Sequence, residues 1–184
     1  FCTAASAIYV LNDWTDRHSD ASNPKKNKRP LASGQISPAQ ALLLTGAWLG
    51  LCALSLTQLP VACTWIIAVY ILNNLLYNAW LKHAVILDIL SISMGFILRT
   101  LMGIYAISET PTLWILVCVF FGAMFLSFAK RRSELRQLND PKAFRPILQA
   151  YTLEYLTMAT FVCAGLSMIS YSLFVVLSGK HPAM

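Results

Sequence analysis

Residues 112–136 read TLWILVCVFFGAMFLSFAKRRSELR, and this stretch decides the fold. Thr112 to Ala129 contains no charged side chain, and Lys130, Arg131 and Arg132 follow at once. A bilayer-spanning helix needs roughly 20 mostly apolar residues. Ala39 to Leu56, Val61 to Trp80, Ile86 to Ala106 and Tyr151 to Leu177 meet the same requirement. The chain is 57% hydrophobic and only 12% charged, well away from the soluble average. A soluble core absorbs many apolar residues, but not in blocks this long. Phe1 to Leu11 reads as the end of a further helix. It has no basic lead-in and is not a signal peptide. The expectation is an all-α, multi-pass transmembrane helical bundle, with five full spans plus the end of a sixth. Residues 1–184 form a single membrane domain on this reading, as a fragment of a longer protein truncated at both ends.

The punctuation agrees. Ser37-Pro38 and Thr110-Pro111 each place an N-cap residue before a proline at the first helical position. Leu59-Pro60 breaks what would otherwise be one overlong helix, and Pro141 and Pro146 interrupt the stretch after Leu138. The five cysteines lie in apolar segments without a C-x-x-C pair, so inert buried thiols are expected rather than a redox set. His18, His83 and His181 show no zinc spacing.

If successive spans alternate, loops at about 12–38, 81–86 and 130–150 share one face. They hold twelve of the fourteen basic residues: Arg17, Lys25, Lys26, Lys28, Arg29, Lys82, Lys130, Arg131, Arg132, Arg136, Lys142 and Arg145. Such an excess marks the cytoplasmic side. The net charge of +6 is accounted for by this topology and needs no nucleic-acid partner.

Function is therefore sought in these loops and in polar residues that dip into the helices. The first loop opens Asn12-Asp13-Trp14-Thr15-Asp16-Arg17-His18-Ser19-Asp20. If the preceding helix continues, Asn12, Asp13, Asp16 and Asp20 fall within about 100° of arc. Like charges so crowded raise one another's pKa unless a cation neutralises them. Oxygen-only donors suit a hard ion such as magnesium, which keeps waters and binds substrate phosphates as well. The plainer reading is an N-cap and a solvated acidic turn.

The loop continues Lys25-Lys26-Asn27-Lys28-Arg29-Pro30-Leu31-Ala32-Ser33-Gly34. The run NDxxDxxxD followed by a basic stretch and RPLxSG resembles the UbiA-type superfamily of intramembrane transferases. The resemblance covers the whole chain and corresponds to the end of the second helix through the seventh of nine. It implies a helical bundle acting at the cytoplasmic membrane surface, with magnesium held on a diphosphate leaving group by Asn12, Asp13, Asp16 and Asp20. Asp13 and Asp16 would be the catalytic pair. Tyr77-Asn78-Ala79-Trp80-Leu81-Lys82 with Asp88, then Gly95 to Arg99 and Lys130 to Glu134, resemble the decaprenyl-phosphate phosphoribosyltransferase branch. Ordinary members of the superfamily carry a second aspartate-rich motif in the later loop. Here Lys130 and Glu134 occupy that region, four residues apart.

On this resemblance the donor is phosphoribosyl pyrophosphate and the acceptor a polyprenyl phosphate. Both substrates carry phosphate besides the departing diphosphate, which calls for cations where acids would stand. The residues expected to bind substrate are Lys28, Arg29, Tyr77, Asn78, Lys82, Asp88, Arg99, Lys130 and Glu134. Each has a duller reading. Asn74, Asn78 and Lys82 at i, i+4, i+8 either line a cleft or bond neighbouring helices, and Lys82 could simply snorkel. Asp88 and Arg99 lie about 16 Å apart along one helix, too far to pair directly. Arg99 is expensive at that depth and faces a wet cavity, substrate or a partner such as Glu154. Arg131, Arg132 and Arg136 read as topology charges or headgroup contacts.

The alternatives are an ordinary polyprenyltransferase joining an isoprenoid diphosphate to an aromatic ring, and a sugar-phosphate transferase with another donor. A magnesium-binding transporter is more distant, because no span carries a string of carboxylates to lead an ion across. Single cysteines placed at Lys28 and at Glu109 test the topology in a cysteine-free background. The expected outcome is labelling of the first only from the cytoplasmic side and of the second only from the opposite side. The reverse pattern would invert the assignment.

Overall fold

The computed structural model describes residues 1–23, 26–137 and 146–178. These residues form six α-helices and, among the described residues, no strand. The helices are α1 (Cys2–Ala21), α2 (Pro38–Leu56), α3 (Val61–Ala79), α4 (Leu87–Ala106), α5 (Leu113–Gln137) and α6 (Leu153–Ser178). All but α1 are long and apolar enough to cross a membrane. Leu43, Leu54, Trp65, Phe161 and Met168 stand exposed on these helices. Such an outer surface would be a liability in water and is at home against lipid. The multi-pass helical architecture read from the sequence is the one observed. By contacts the chain divides into two compact units, Phe1–Asn78 and Ala79–Met184.

In the first unit, α1 packs against α2. The buried residues of both are small: Ala4, Ala5 and Ala7 with Ile8 on α1, Ala41, Thr45 and Cys52 on α2. Without a hydrophobic drive between helices in lipid, close backbone approach through small residues supplies the attraction. Thr45 donates its hydroxyl to the Ala41 carbonyl at 2.9 Å, so its polar atom is satisfied within its own helix. Helix α2 starts where Ser37-Pro38 predicts. Ser37 Oγ accepts from the Gln40 N–H at 3.3 Å, and Gln40 Oε1 accepts from the Ser37 N–H at 2.8 Å, a reciprocal capping box. Helix α3 buries Cys63, Ile66, Ile67 and Tyr70, one stripe at i, i+3, i+4, i+7, and the Tyr70 ring meets Phe1 at 4.5 Å.

Between α1 and α2 the chain turns back through short bonds, Ser33 N–H to Arg29 O at 2.8 Å and Ile36 N–H to Pro30 O at 3.2 Å. Gly34 stands at φ +77°, a left-handed position that a side chain would strain, which accounts for the glycine of RPLxSG.

In the second unit α5 packs along α6 and also against α4. Ile89, Phe128, Ile147, Tyr151, Leu156 and Cys163 form its buried cluster, with Phe121, Met124 and Phe125 packed on it. Gly122 faces α6, where a Cβ would meet Ser167 Oγ at 3.4 Å, so there is room for a methyl group and little more. Ser167 in turn donates to the Cys118 carbonyl at 3.1 Å.

The helix ends correct several expectations. Helix α5 does not stop at Ala129 but runs on through Lys130–Arg136 to Gln137. That segment is rich in straight-chain residues that favour helix, it holds no proline, and Arg136 in the last turn suits the negative helix end. The first part of the connection expected at 130–150 is thus helical, and Asp140, Pro141, Lys142 and Arg145 lie outside the described residues. At its other end α5 begins at Leu113, with the Thr112 carbonyl taking the first bond, so Pro111 precedes the helix rather than opening it. Helix α3 ends at Ala79 and a 3-10 turn covers Leu81–His83, so the stripe Asn74, Asn78, Lys82 does not continue as one helical face.

Gly122 yields a graded test. Gly122→Ala should leave thermal stability in detergent nearly unchanged, because 3.4 Å is ordinary contact. Gly122→Leu should lower it by about 1–3 kcal/mol through overpacking. Equal stability of the two variants would show that α5 and α6 do not meet there.

Candidate active site

The aspartate-rich run becomes a surface only because α1 does not end with its apolar part. The helix continues to Ala21 and carries Asn12, Asp13, Asp16 and Asp20 on one side. Asp13 is half-buried, and Asp20 is only 3% exposed despite its charge. The turn that follows brings cations to them. Arg29 Nη1 reaches Asp13 Oδ1 at 2.6 Å and Asp20 Oδ2 at 2.9 Å, while Lys26 Nζ lies 3.3 Å from Asp20 Oδ1. Burial pushes the Asp13 carboxyl above its ordinary value; Arg29 opposes this, whereas the Asp20 and Asp16 carboxylates reinforce it. The largest of these effects on Asp13 is its burial, and the positive neighbours Arg29 and Lys26 oppose it.

Two expected metal ligands are committed elsewhere. The Asn12 carboxamide oxygen accepts a hydrogen bond from Asn78 of α3, and both oxygens of Asp20 are taken by Lys26 and Arg29. Asp20 thus anchors the basic turn, and Arg29 bridges it to Asp13. Among the described residues no three acidic, histidine or cysteine side chains form a metal cage. Magnesium does not need one, since it is usually held by one or two carboxylates plus waters and substrate phosphates. Asp13 and Asp16, oxygen donors three residues apart on the same side of α1, fit that demand. Lys28 is exposed in the adjoining turn, and Tyr77 and Asn78 are half-buried at the end of α3.

An apolar cavity of about 230 Å³ lies between α1 and the start of α2, lined by Val10, Leu11, Trp14, Pro38 and Leu42 among others. Val10, Leu11 and Trp14 are centred roughly 130° away from the carboxylates around α1. The cavity suits hydrocarbon and offers no phosphate ligand.

The second unit contains a denser polar constellation. Asp88, in the first turn of α4, is fully enclosed, and Arg131 of α5 is 2% exposed. Arg131 donates to Asp88 Oδ2 through Nε at 3.1 Å and Nη2 at 3.0 Å, and through Nη1 to Glu134 Oε2 at 3.2 Å. Tyr151 donates its hydroxyl to Asp88 Oδ1 at 3.3 Å and accepts the Ile86 N–H at 2.8 Å. Burial pushes the Tyr151 phenol up to about 12, the Ile86 N–H pulls it down and the Asp88 carboxylate adds to the rise, so the hydroxyl keeps its proton at neutral pH.

This constellation changes the expected roles. Arg131, read as a topology charge, is the buried partner of Asp88. Asp88, expected to bind substrate, has both oxygens engaged by Arg131 and Tyr151. Glu134 is joined to Arg131 three residues back in the helix. Lys130 is exposed on the charged C-terminal part of α5, Lys82 is half-buried in the 3-10 turn, Arg99 is exposed on α4 and Glu154 is exposed in the first turn of α6. Sequence reasoning missed Arg131 and Tyr151. A signal was present for the first. Asp88 opens one span and Arg131 follows the end of the next, so alternation of the two puts them at the same depth.

Known proteins can now be set beside this geometry. The UbiA prenyltransferase family profile matches residues 1–183. Decaprenyl-phosphate phosphoribosyltransferase of Mycolicibacterium smegmatis is 34% identical over 176 residues, covering 95% of this chain and 55% of that protein. The enzyme of the same name from Mycobacterium tuberculosis is 30% identical, over 95% of this chain and 58% of its own length. The chain thus spans little more than half the length of these relatives. Protoheme IX farnesyltransferase 1 of Pseudomonas putida is 28% identical, over 92% of this chain and 60% of its own. A solved structure of a UbiA homolog from Archaeoglobus fulgidus bound to GPP and Mg2+ superposes with a TM-score of 0.75 at 17% identity, covering 99% of this chain and 64% of that one.

The buried pair predicts a non-additive response. Arg131→Met alone strands a carboxylate and should cost about 3–5 kcal/mol, whereas Asp88→Leu together with Arg131→Met should recover much of that. Thermal unfolding in detergent reads the cycle, and additive losses would contradict the pairing. With its helical spans and its profile match over nearly the whole length, this chain belongs to the UbiA prenyltransferase family.

Proposed function

We propose that the protein transfers a phosphoribosyl group from phosphoribosyl pyrophosphate to a polyprenyl phosphate at the cytoplasmic face of the membrane, releasing diphosphate. The observation that carries this reading is the chemistry of α5 beyond the membrane. It carries Lys130 exposed and Arg132 half-buried, while Arg131 beside them is buried and locked to Asp88 and Glu134. Cations there suit substrates that both carry phosphate. The names of the 34% and 30% identical relatives support the same donor and acceptor.

The bond changes are simple. An oxygen of the lipid phosphate attacks the anomeric carbon of the ribose. The bond from that carbon to the diphosphate oxygen breaks, and its electron pair leaves with the diphosphate. No redox step is involved. The protein's contribution is positioning together with stabilisation of leaving-group charge. Asp13 and Asp16 would hold magnesium, which when bound supplies positive charge to the diphosphate. Arg29 keeps Asp13 and Asp20 from repelling one another before substrate arrives. Lys82 and Lys130 are the proposed phosphate ligands of the second unit, and Lys28 that of the first.

A second reading has its own support. The 28% identical protoheme IX farnesyltransferase points to isoprenoid transfer. The experiment that separates them uses the whole protein in membranes with labelled phosphoribosyl pyrophosphate, magnesium and polyprenyl phosphate. Label should enter the organic phase, vanish with chelator, and fall at least about 100-fold in Asp13→Asn and Asp16→Asn, as for loss of a transition-state charge contact. Absence of product where an isoprenoid diphosphate and an aromatic acceptor do react would overturn the phosphoribosyl reading.

A further inference from the structure

Ile86 adopts φ 69°, ψ −40° at the residue that opens α4. A β-branched side chain in the left-handed region is a rare outlier, and it persists only where the surroundings over-determine it. Three bonds do so here. The Ile86 carbonyl accepts from the Leu90 N–H at 2.9 Å, the Ala84 carbonyl just before it accepts from the Asp88 N–H at 3.2 Å, and the Ile86 N–H is held by the Tyr151 hydroxyl at 2.8 Å. The first two belong to the helix start. Only the third comes from outside the turn.

Tyr151 is well placed to hold a fixed point. It is 5% exposed, follows the 3-10 turn Pro146–Ala150, and stacks on Tyr155 at 5.9 Å with 18° between the rings. That turn lies against the 3-10 turn Leu81–His83. The direction of each hydrogen bond is forced. A backbone N–H only donates and an ionised carboxylate only accepts, so the single hydroxyl proton must point to Asp88 and its lone pair to Ile86. Through Asp88 the same atom is linked to Arg131 and from there to Glu134.

We propose that Tyr151 is a positioning residue, which straps the 81–86 turn to the Asp88–Arg131 pair and thereby places the amine of Lys82 for a phosphate of the donor. The hydroxyl does not touch substrate. It converts the rigidity of the buried ion pair into a fixed course for the three residues between Lys82 and the strained Ile86 peptide. This rests on the reading of Lys82 as a phosphate ligand.

The test compares the wild type with Tyr151→Phe and with Tyr151→Phe combined with Ile86→Gly, all as whole protein in membranes. Hydrogen exchange over residues 81–90 is followed alongside KM for labelled phosphoribosyl pyrophosphate and for polyprenyl phosphate. Tyr151→Phe should speed exchange in that segment while α2 stays protected, and should raise the donor KM about tenfold with kcat within about twofold, the signature of lost binding rather than lost chemistry. Glycine occupies positive φ without penalty, so the double variant should bring the donor KM most of the way back. Unchanged exchange and KM in Tyr151→Phe would overturn the proposal. So would a loss that Ile86→Gly leaves untouched, since Tyr151 would then only support the core. If the wild type uses an isoprenoid diphosphate instead, the phosphoribosyl reading fails, while the same comparison of KM on that donor still decides the role of Tyr151.

Discussion

The Asp88–Arg131 pair is the constraint around which the second unit is arranged. Both groups are withdrawn from solvent, and neither could be left there alone without a penalty of several kcal/mol. Each remaining hydrogen-bonding position on them is therefore assigned a partner. Asp88 receives Tyr151 on its other oxygen, and Arg131 spends its remaining arm on Glu134. Because these groups come from α4, α5 and the turn before α6, satisfying one ion pair fixes three elements at once. The apolar cluster of Ile89, Phe128, Ile147, Tyr151 and Leu156 closes around it and keeps water out. Packing and polar satisfaction support the same arrangement, which is the consistency expected of a single well-defined structure.

The first unit solves a different electrostatic problem. Its carboxylates crowd one helix side at the membrane surface, where the low dielectric beneath strengthens their repulsion. Arg29 bridges two of them, and Lys26 takes the remaining oxygen of Asp20. These contacts are made by one short turn of chain, whose path requires the left-handed Gly34. A basic turn that folds back on an acidic helix side thus holds the carboxylates of Asp13 and Asp20 close together.

Much of this was legible in the sequence, for identifiable reasons. The five long helices follow from apolar length and proline placement, which bilayer thickness and backbone chemistry make nearly obligatory. The capping box at Ser37 and the break at Pro60 follow from local rules. What was not legible depends on long-range pairing. That Asn12 is taken by Asn78, 66 residues away, or that Tyr151 reaches Ile86, 65 residues away, has no local signature. Arg131 was obscured by its neighbours. In a cluster of three bases, nothing in composition tells which one turns inward, and helical continuation of α5 past Ala129 decides it. The strain at Ile86 is equally invisible, because an isoleucine is the last residue that turn chemistry would place at positive φ.

The charged end of α5 keeps one carboxylate among four bases. Glu134 is retained there, but it is tied to Arg131, and its charge is cancelled from a buried side chain. The arrangement leaves the exposed end of α5 positive while keeping one carboxylate in a fixed place. Arg131 can serve in this way only because Asp88 already holds its orientation from below. A lysine there could not hold two carboxylates with separate donors on a planar fork. The positive character of this helix end is thus set by the buried carboxylate at the start of its neighbour, and a change at Asp88 would be felt at the surface through Arg131.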